Sequence, residues 1–185
     1  MGNQSSEDHT IKILLSEYEK LKSEQIQRLG FRDNLIYANL IAMTGILSIA
    51  LSETVKILLL LLLPVVCLVL GWTYLVNDEK ISAIGRYIRY TLSDNIRKNI
   101  EKEELDILGW ETAHRSDKRR MSRKIIQLVV DELSFVLPGF IAVVLFWINA
   151  PDVSLLFLWL ALAEGILLLV LGLQIIIYAD LKRGK

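Results

Sequence analysis

The chain has 185 residues, of which 53% are hydrophobic, and it carries 21 basic and 21 acidic side chains. A formal net charge of zero gives no electrostatic basis for binding nucleic acid, and the single cysteine excludes an intrachain disulfide. The hydrophobic residues are concentrated in four runs of 18 residues or longer, each with at most one charge. This pattern predicts an all-α integral membrane protein.

The N-terminal part is polar, and it is predicted to be disordered over residues 1–9 and to form an amphipathic helix over residues 10–32. The apolar residues of that helix recur at helical spacing, between mostly charged or polar neighbours: Ile11, Leu14, Leu15, Tyr18, Leu21 and Leu29. Two interpretations of this apolar stripe are open. It either forms a short coiled coil or packs against a cytoplasmic segment of the same chain.

Residues 33–76 are predicted to form a first transmembrane hairpin from the runs Asn34–Ser52 and Ile57–Val76. A helix needs roughly 20 apolar residues to cross a hydrocarbon core of ~30 Å. The runs are too long and too uniformly apolar for the strands of a membrane barrel. A polar segment of 33 residues precedes the first run, which argues against a cleaved signal peptide.

The first run contains features typical of helix packing and of an intramembrane polar site. Small residues at Ala38, Ala42 and Gly45 permit close approach of a neighbouring helix. Asn39 and Thr44 are polar and lie at a depth that a carboxyl group on another span could reach.

Residues 77–132 are predicted to form a cytoplasmic helical segment, with twelve basic and eleven acidic residues. One apolar stripe continues the second span as a helix: Ile81, Ile84, Ile88, Leu92, Ile96 and Ile100. A basic cluster precedes the third span: Lys118, Arg119, Arg120, Arg123 and Lys124. This cluster either contacts anionic lipid head groups or a partner, or serves as an orientation signal.

Residues 133–179 are predicted to form a second transmembrane hairpin from Leu133–Ala150 and Val153–Ala179, followed by a cytoplasmic tail over residues 180–185. The fourth span carries the small residues Ala161, Gly165 and Gly172, at spacings that suit close helix packing.

Glu164 is the one charged residue of the fourth span, and it lies near the predicted midplane. A carboxyl group at this depth costs about 2.5 kcal/mol or more unless something offsets it, so it marks a candidate functional site. No span contains an internal Lys or Arg as a salt-bridge partner. Glu164 could be protonated, bonded to Asn39 or Thr44, face water, or cluster with copies from other subunits.

The basic residues predict the orientation of the chain. Twenty of the 21 flank the predicted spans on one side, and Lys56 alone lies on the other. The positive-inside rule assigns the richer side to the cytoplasm. We therefore expect a multi-pass protein of a bacterial inner membrane, with both termini cytoplasmic.

The chain carries none of the phosphate-binding, dinucleotide-binding, metalloprotease or serine-hydrolase motifs that would indicate an enzyme. Its two histidines, His9 and His114, have no paired ligand nearby, so neither a metal site nor a cofactor is predicted. We expect no enzymatic activity, and no catalytic, cofactor-binding or metal-binding residue is assigned.

The layout, together with Gly71–Lys80 and the continuation Ile84–Arg89, resembles small bacterial multi-helix membrane proteins of unknown function. More loosely, it resembles the transmembrane effectors of bacterial anti-phage systems. This resemblance implies an effector that a partner or a sensor module commands, and it transfers no site residue.

Three functions are compatible with these features. The first is a homo-oligomeric, membrane-perturbing or ion-conducting effector, controlled through its cytoplasmic helices, with Glu164 lining the oligomer interior or gate. The second is a membrane-anchored scaffold or adaptor for a cytoplasmic partner. The third is a small proton-coupled transporter. The expected partners are the lipid bilayer, further copies of the chain and a cytoplasmic protein.

Overall fold

A computed structural model describes residues 2–50, 57–100, 108–109, 119–149 and 153–179, with the backbone alone for residues 2–7. The elements over these ranges are all helical. The α-helices whose bounds are described within these ranges are α1 (Gly2–Ala50), α2 (Leu62–Tyr87), α3 (Ser93–Lys98), α4 (Arg120–Asp131), α5 (Leu137–Asn149) and α6 (Leu155–Tyr178). A 3-10 segment, Ile57–Leu61, precedes α2, and π-helical segments join α2 to α3 (Ile88–Leu92) and α4 to α5 (Glu132–Val136).

Four continuous helical stretches are long and apolar enough to cross a membrane, which confirms the predicted all-helical class with four candidate spans. They are Asp8–Ala50, Ile57–Lys98, Arg120–Asn149 and Leu155–Tyr178. The length and composition of these helices are those of a multi-pass membrane protein.

The helix α1 begins earlier than the sequence predicts. Residues 1–9 were expected to be disordered, whereas α1 is helical from Gly2 onward. Extending an existing helix by one residue adds one hydrogen bond without a new nucleation step. The polar N-terminal residues therefore continue the amphipathic helix that follows them.

The described chain divides into two compact units. The charged unit comprises Met1–Phe31 and Asn77–Arg120, and the apolar unit comprises Arg32–Val76 and Met121–Lys185. The charged unit resumes at Asn77. The second boundary lies at residue 120 instead of 132, so residues 121–132 belong with the apolar unit.

The α4 helix explains this difference, because its apolar side chains lie on its exposed face. Ile125, Ile126 and Val129 are exposed, whereas Asp131 is buried and Gln127 is partly buried. Outward apolar and inward polar side chains are the arrangement expected of a helix that meets lipid. The third candidate span therefore begins about a dozen residues before the predicted Leu133.

The charged unit has a small core of its own, built from Ile88, Leu92 and Ile96. Leu14, Tyr18 and Leu21 of α1 pack against these three side chains. Of the two interpretations of the α1 stripe, the structure shows packing within the chain. Polar contacts add to it: Asn77 Nδ2 donates to the Arg28 carbonyl oxygen at 2.7 Å, and Gln25 Nε2 donates to the Ile81 carbonyl oxygen at 3.3 Å.

The apolar unit contains two buried clusters of side chains. The hairpin-end core lies at the end of the unit where Ala50, Ile57 and Val153 are found, and its buried residues are Leu60, Leu61, Leu63, Cys67, Ala142, Val143, Phe146, Ala161 and Leu168. The tail-end core lies toward the C-terminal end of α6, and its buried residues are Leu35, Tyr74, Leu75, Phe135, Leu171 and Ile175.

Candidate functional site

Glu164 lies on the buried face of α6. The buried residues of this helix are Ala161, Glu164, Leu168, Leu171, Gly172 and Ile175, which share one face because they recur every three or four positions. The side chain of Glu164 is only 4% exposed. Its carboxyl group therefore lies within the apolar unit of its own chain rather than on the outer surface of the unit.

Neither carboxyl oxygen of Glu164 has a hydrogen-bond partner among the described residues, although both oxygens are buried. The sequence offered Asn39 and Thr44 as partners, and neither forms that bond. Asn39 Nδ2 donates to the Ser134 carbonyl oxygen at 2.5 Å, and Thr44 Oγ1 donates to the Leu40 carbonyl oxygen of its own helix at 2.8 Å. A buried polar group without a partner is unfavourable, so it needs a functional or solvent-mediated explanation.

This burial leads to a prediction about stability. Replacing Glu164 by Leu removes the unpartnered polar group at similar volume, so we expect the free energy of unfolding to rise by about 1–3 kcal/mol. Thermal or denaturant unfolding in detergent micelles would measure the change. Glu164→Gln serves as the control, because it keeps an unpartnered polar group and should gain little. A loss of stability in Glu164→Leu would instead show that the carboxyl group makes a stabilising contact.

Asn39 has a structural role that Pro138 makes necessary. In an α-helix the carbonyl oxygen of Ser134 would accept a hydrogen bond from the N–H of residue 138, but proline has no N–H. The amide of Asn39 supplies the missing donor from another helix. The helix is locally π-helical at this point, over Glu132–Val136. Asn39 thus joins α1 to the interrupted helix and leaves its own Oδ1 buried without a partner.

A double-mutant cycle tests this role. Asn39→Leu should lower the free energy of unfolding by about 1 kcal/mol, because the Ser134 carbonyl loses its donor within the apolar unit. Pro138→Ala restores an N–H at position 138, so the Asn39→Leu effect should shrink in that background. Thr44→Val is the matched control and should be nearly neutral, since Thr44 is exposed. Equal effects of Asn39→Leu in both backgrounds would contradict the role.

Glu132, which the sequence analysis placed in the cytoplasmic segment, lies against α6 at Gly172. A Cβ atom added at Gly172 would lie 3.1 Å from Oε2 and 3.5 Å from Oε1 of Glu132. Oε1 is buried and has no hydrogen-bond partner in the described part of the chain. Gly172 therefore makes room for a second carboxyl group on the buried face of α6.

A third acidic residue, Asp131, belongs to a bonded network at the same end of the unit. Gln127 Nε2 lies 2.8 Å from Asp131 Oδ1 and 2.7 Å from the Tyr74 hydroxyl oxygen, and donates to both. The Arg32 guanidinium lies 6.0 Å from the centroid of the Tyr74 ring. Unlike Glu164, Asp131 is buried with partners.

Sequence analysis missed Gln127, Asp131 and Glu132 because they precede the uninterrupted apolar run. A signal was present: Ile125, Ile126, Val129 and Val130 lie on one helical face, opposite Gln127 and Asp131. Extending that face toward the N-terminus would have joined it to the third span.

The predicted packing residues divide into two groups. Ala161 and Gly172 are buried, and a Cβ atom on Gly165 would lie 3.9 Å from Val143 Cγ1. In the first span, Ala38 is exposed, Ala42 is partly buried, and a Cβ atom on Gly45 would have nothing within 4 Å. Small residues therefore allow a neighbouring helix to approach closely along α6, whereas Ala38 and Gly45 of the first span are not used in this way within the described part of the chain.

Lys118 of the basic cluster lies outside the described residues. Arg119 and Arg123 are exposed, and Arg120 and Lys124 are partly buried. Contact of this cluster with lipid or with a partner stays a prediction.

The candidate site consists of carboxyl and amide groups. In the described ranges, no group of three or more His, Cys, Asp or Glu side chains is placed to hold a metal ion. The carboxyl groups of this site can take up and release a proton or bind a small cation, because a carboxylate accepts either.

Comparison with models of protein families, with curated proteins and with solved structures finds no match to this chain.

Proposed function

We propose that this chain is a non-enzymatic membrane protein that conducts protons or small cations through its apolar unit, under control of its charged unit. The observation that carries the proposal is Glu164, a carboxyl group buried in a membrane-type helix whose two oxygens have no partner among the described residues. Ionisable residues at membrane depth are costly and rare, and they mark ion pathways and proton relays, so Glu164 supports this function.

The burial of Glu164 favours a pathway inside one chain. A ring of carboxyl groups between subunits would require side chains on the outer surface of each unit, and Glu164 is 4% exposed. Self-association, which the sequence analysis expected, is not needed to complete this site. Copies of the chain could assemble through other surfaces and each retain its own pathway.

The chemistry of the buried groups favours cations. Glu164, which alone of the buried charged residues in the described ranges has no hydrogen-bond partner there, is acidic. Asn39 Oδ1 and Glu132 Oε1 add two buried acceptor atoms that have no partner within the described ranges. Acceptor atoms and carboxylates along a pathway stabilise protons and cations and repel anions.

The proposal includes the orientation expected from the basic residues. The charged unit and both termini would lie in the cytoplasm of a bacterium, with the apolar unit in the inner membrane. A cytoplasmic protein partner would act on the charged unit, and the lipid bilayer would surround the apolar unit.

Reconstitution tests the proposal. The purified full-length protein is placed in liposomes that hold a pH gradient, together with the K⁺ carrier valinomycin to prevent a build-up of charge. We expect the gradient to collapse faster than in protein-free liposomes. A gradient that persists at high protein density would contradict proton conduction and leave only the small-cation form of the proposal.

A scaffold is the second candidate, and one observation favours it. The charged unit forms a compact core of its own, with a surface groove of about 630 Å³ lined by Lys20, Ser23, Glu24, Gln27, Arg28, Phe31 and Asn77. A protein partner could dock in this groove. A scaffold would retain its cellular function in Glu164→Gln, whereas a conducting protein would lose it.

A proton-coupled transporter is supported by the same buried carboxyl groups. It would differ from a conducting protein in one respect: its proton flux would require a second, co-transported solute and would reach a maximum as the concentration of that solute rises.

A further inference from the structure

We propose that Glu132, seated against Gly172, is a second proton-binding site that connects Glu164 with the tail end of the apolar unit. This inference rests on the proposed function and deepens it, because it makes the proton the conducted ion and assigns a relay residue.

Gly172 and Glu132 fit each other closely. Any residue larger than glycine at position 172 would place its Cβ atom 3.1 Å from Glu132 Oε2, closer than such contacts normally are. The affected atom is the end of a flexible side chain, so a small substitution would displace the carboxyl group rather than the backbone.

The π-helical segment helps to place Glu132 in this position. Glu132 is the first residue of Glu132–Val136, and the N–H of Leu137 bonds to its carbonyl oxygen across five residues. A π-helical turn shifts the residues that follow it around the helix axis, and such turns are frequent at functional sites. Here the buried Asp131 and the inward Glu132 are adjacent in sequence, and both are turned toward the interior of the unit.

Glu164 lies on the buried face of α6, and Glu132 contacts the same face from the neighbouring helix at a different level. Gly172, which Glu132 contacts, and Glu164 are eight residues apart, or roughly 12 Å along the helix axis. This distance is too long for direct proton transfer between the two carboxyl groups. An intermediate polar group or water must therefore bridge the interval.

Asn39 lies at the level between them. The amide of Asn39 donates to the Ser134 carbonyl oxygen. The Cys67 thiol lies within hydrogen-bonding reach both of the Asn39 side chain and of the Gly139 backbone. A Cβ atom on Gly139 would in turn lie 2.9 Å from Leu168, one turn of α6 from Glu164. The unpartnered Oδ1 of Asn39 is an acceptor for bridging water in this interval.

Each transfer is a balanced proton exchange. A protonated Glu164 releases its proton to water, which passes a proton along the bridge to the Glu132 carboxylate. Glu132 then releases its proton to the solution at the tail end. In the transfer between them the two carboxyl groups exchange protonation states, and one O–H bond breaks for each that forms. Glu164 then takes up a new proton from the hairpin end of the unit, so one positive charge crosses in each cycle.

Asp131 offers a matched contrast, because it is the neighbouring carboxyl group and Gln127 donates a hydrogen bond to it. An acidic residue with partners serves the structure of the unit, whereas Glu132 Oε1 has no hydrogen-bond partner among the residues that the structure describes. The relay should therefore depend on Glu132 and much less on Asp131.

The test uses proton flux through the full-length protein in liposomes. Glu132→Gln should reduce the flux roughly tenfold, because it removes the proton acceptor at constant volume, whereas Glu132→Asp should keep a measurable part of it. Gly172→Ala should also reduce the flux, while Gly165→Ala should not, since the nearest atom to a Cβ there is 3.9 Å away. Asp131→Asn is the control for loss of a nearby carboxyl group.

The outcomes separate this inference from the proposed function. Flux that is lost in Glu164→Gln but unchanged in Glu132→Gln would overturn the relay and leave conduction standing. Absence of proton flux in the wild-type protein would overturn both the relay and proton conduction. Infrared difference spectra recorded during a pH change add a readout that a merely structural Glu132 would not give: a carboxyl band that Glu132→Gln removes. Absence of that difference would overturn the relay.

Discussion

Replacing Glu164 by glutamine is expected to reduce proton flux through the reconstituted protein by roughly a hundredfold, the scale on which a positioned proton-transfer group contributes. Glutamine matches the volume of glutamate but cannot take up or release a proton at neutral pH. The unit should remain folded, because Glu164 makes no hydrogen bond that the substitution would break. Flux measured at matched protein density, with a thermal unfolding curve for each preparation, checks both statements.

Glu79→Gln is the control for this experiment, since Glu79 is an exposed glutamate of the charged unit. It should conduct like the wild-type protein. Equal flux through wild type and Glu164→Gln would return Glu164 to a packing role. Equal loss in both variants would point to a nonspecific effect of removing negative charge.

Adding a hydroxyl group at Val143 is expected to raise the proton flux several-fold. Glu164 lies among the residues of the hairpin-end core, whose buried members are nearly all aliphatic or aromatic. An apolar constriction excludes water and thereby blocks ions. Val143→Thr keeps the volume of the side chain but lets the constriction hold water more readily. In a helix, the new hydroxyl group can bond to the preceding turn of backbone, so folding should be retained.

Val144→Thr provides the matched control for this second prediction. Val143 is 8% exposed and packs near Gly165, whereas the adjacent Val144 is 48% exposed. The same chemical change on the outer face should leave the flux unaltered. Higher flux that persists in the double variant Val143→Thr with Glu164→Gln would indicate a general leak and contradict a gated pathway through Glu164.

The helices of this protein were predictable because their signals are local. Ile88, Leu92 and Ile96 follow one another at four-residue spacing, and the structure buries all three in the core of the charged unit. The four apolar runs, of 18 residues or more, fall within the range of lengths that can cross a membrane, and most of the described part of each lies in a long apolar helix. Periodicity and run length depend only on residues that are neighbours in sequence.

The partners of the polar residues could not be predicted in the same way. Asn39 was expected to meet Glu164 because the two lie at compatible depths, yet it bonds to the carbonyl oxygen of Ser134. The sequence contains the cause, since Pro138 removes the usual donor to that carbonyl group. Which side chain replaces the donor depends on how two distant helices are rotated against each other.

The amino-acid sequence by itself determined that this chain is helical and has four candidate spans. It also singled out Glu164, because a single carboxyl group among 27 otherwise uncharged residues is unusual whatever the arrangement of the helices. The tertiary structure alone decided that Glu164 lies inside its own unit with no hydrogen-bond partner in the described part of the chain, and that Glu132 lies against Gly172. The physical reason is that burial and hydrogen bonding are properties of several helices at once. In this protein, burial and hydrogen bonding depend on how the helices are rotated, on the π-helical turn at Glu132–Val136 and on the space left by Gly172.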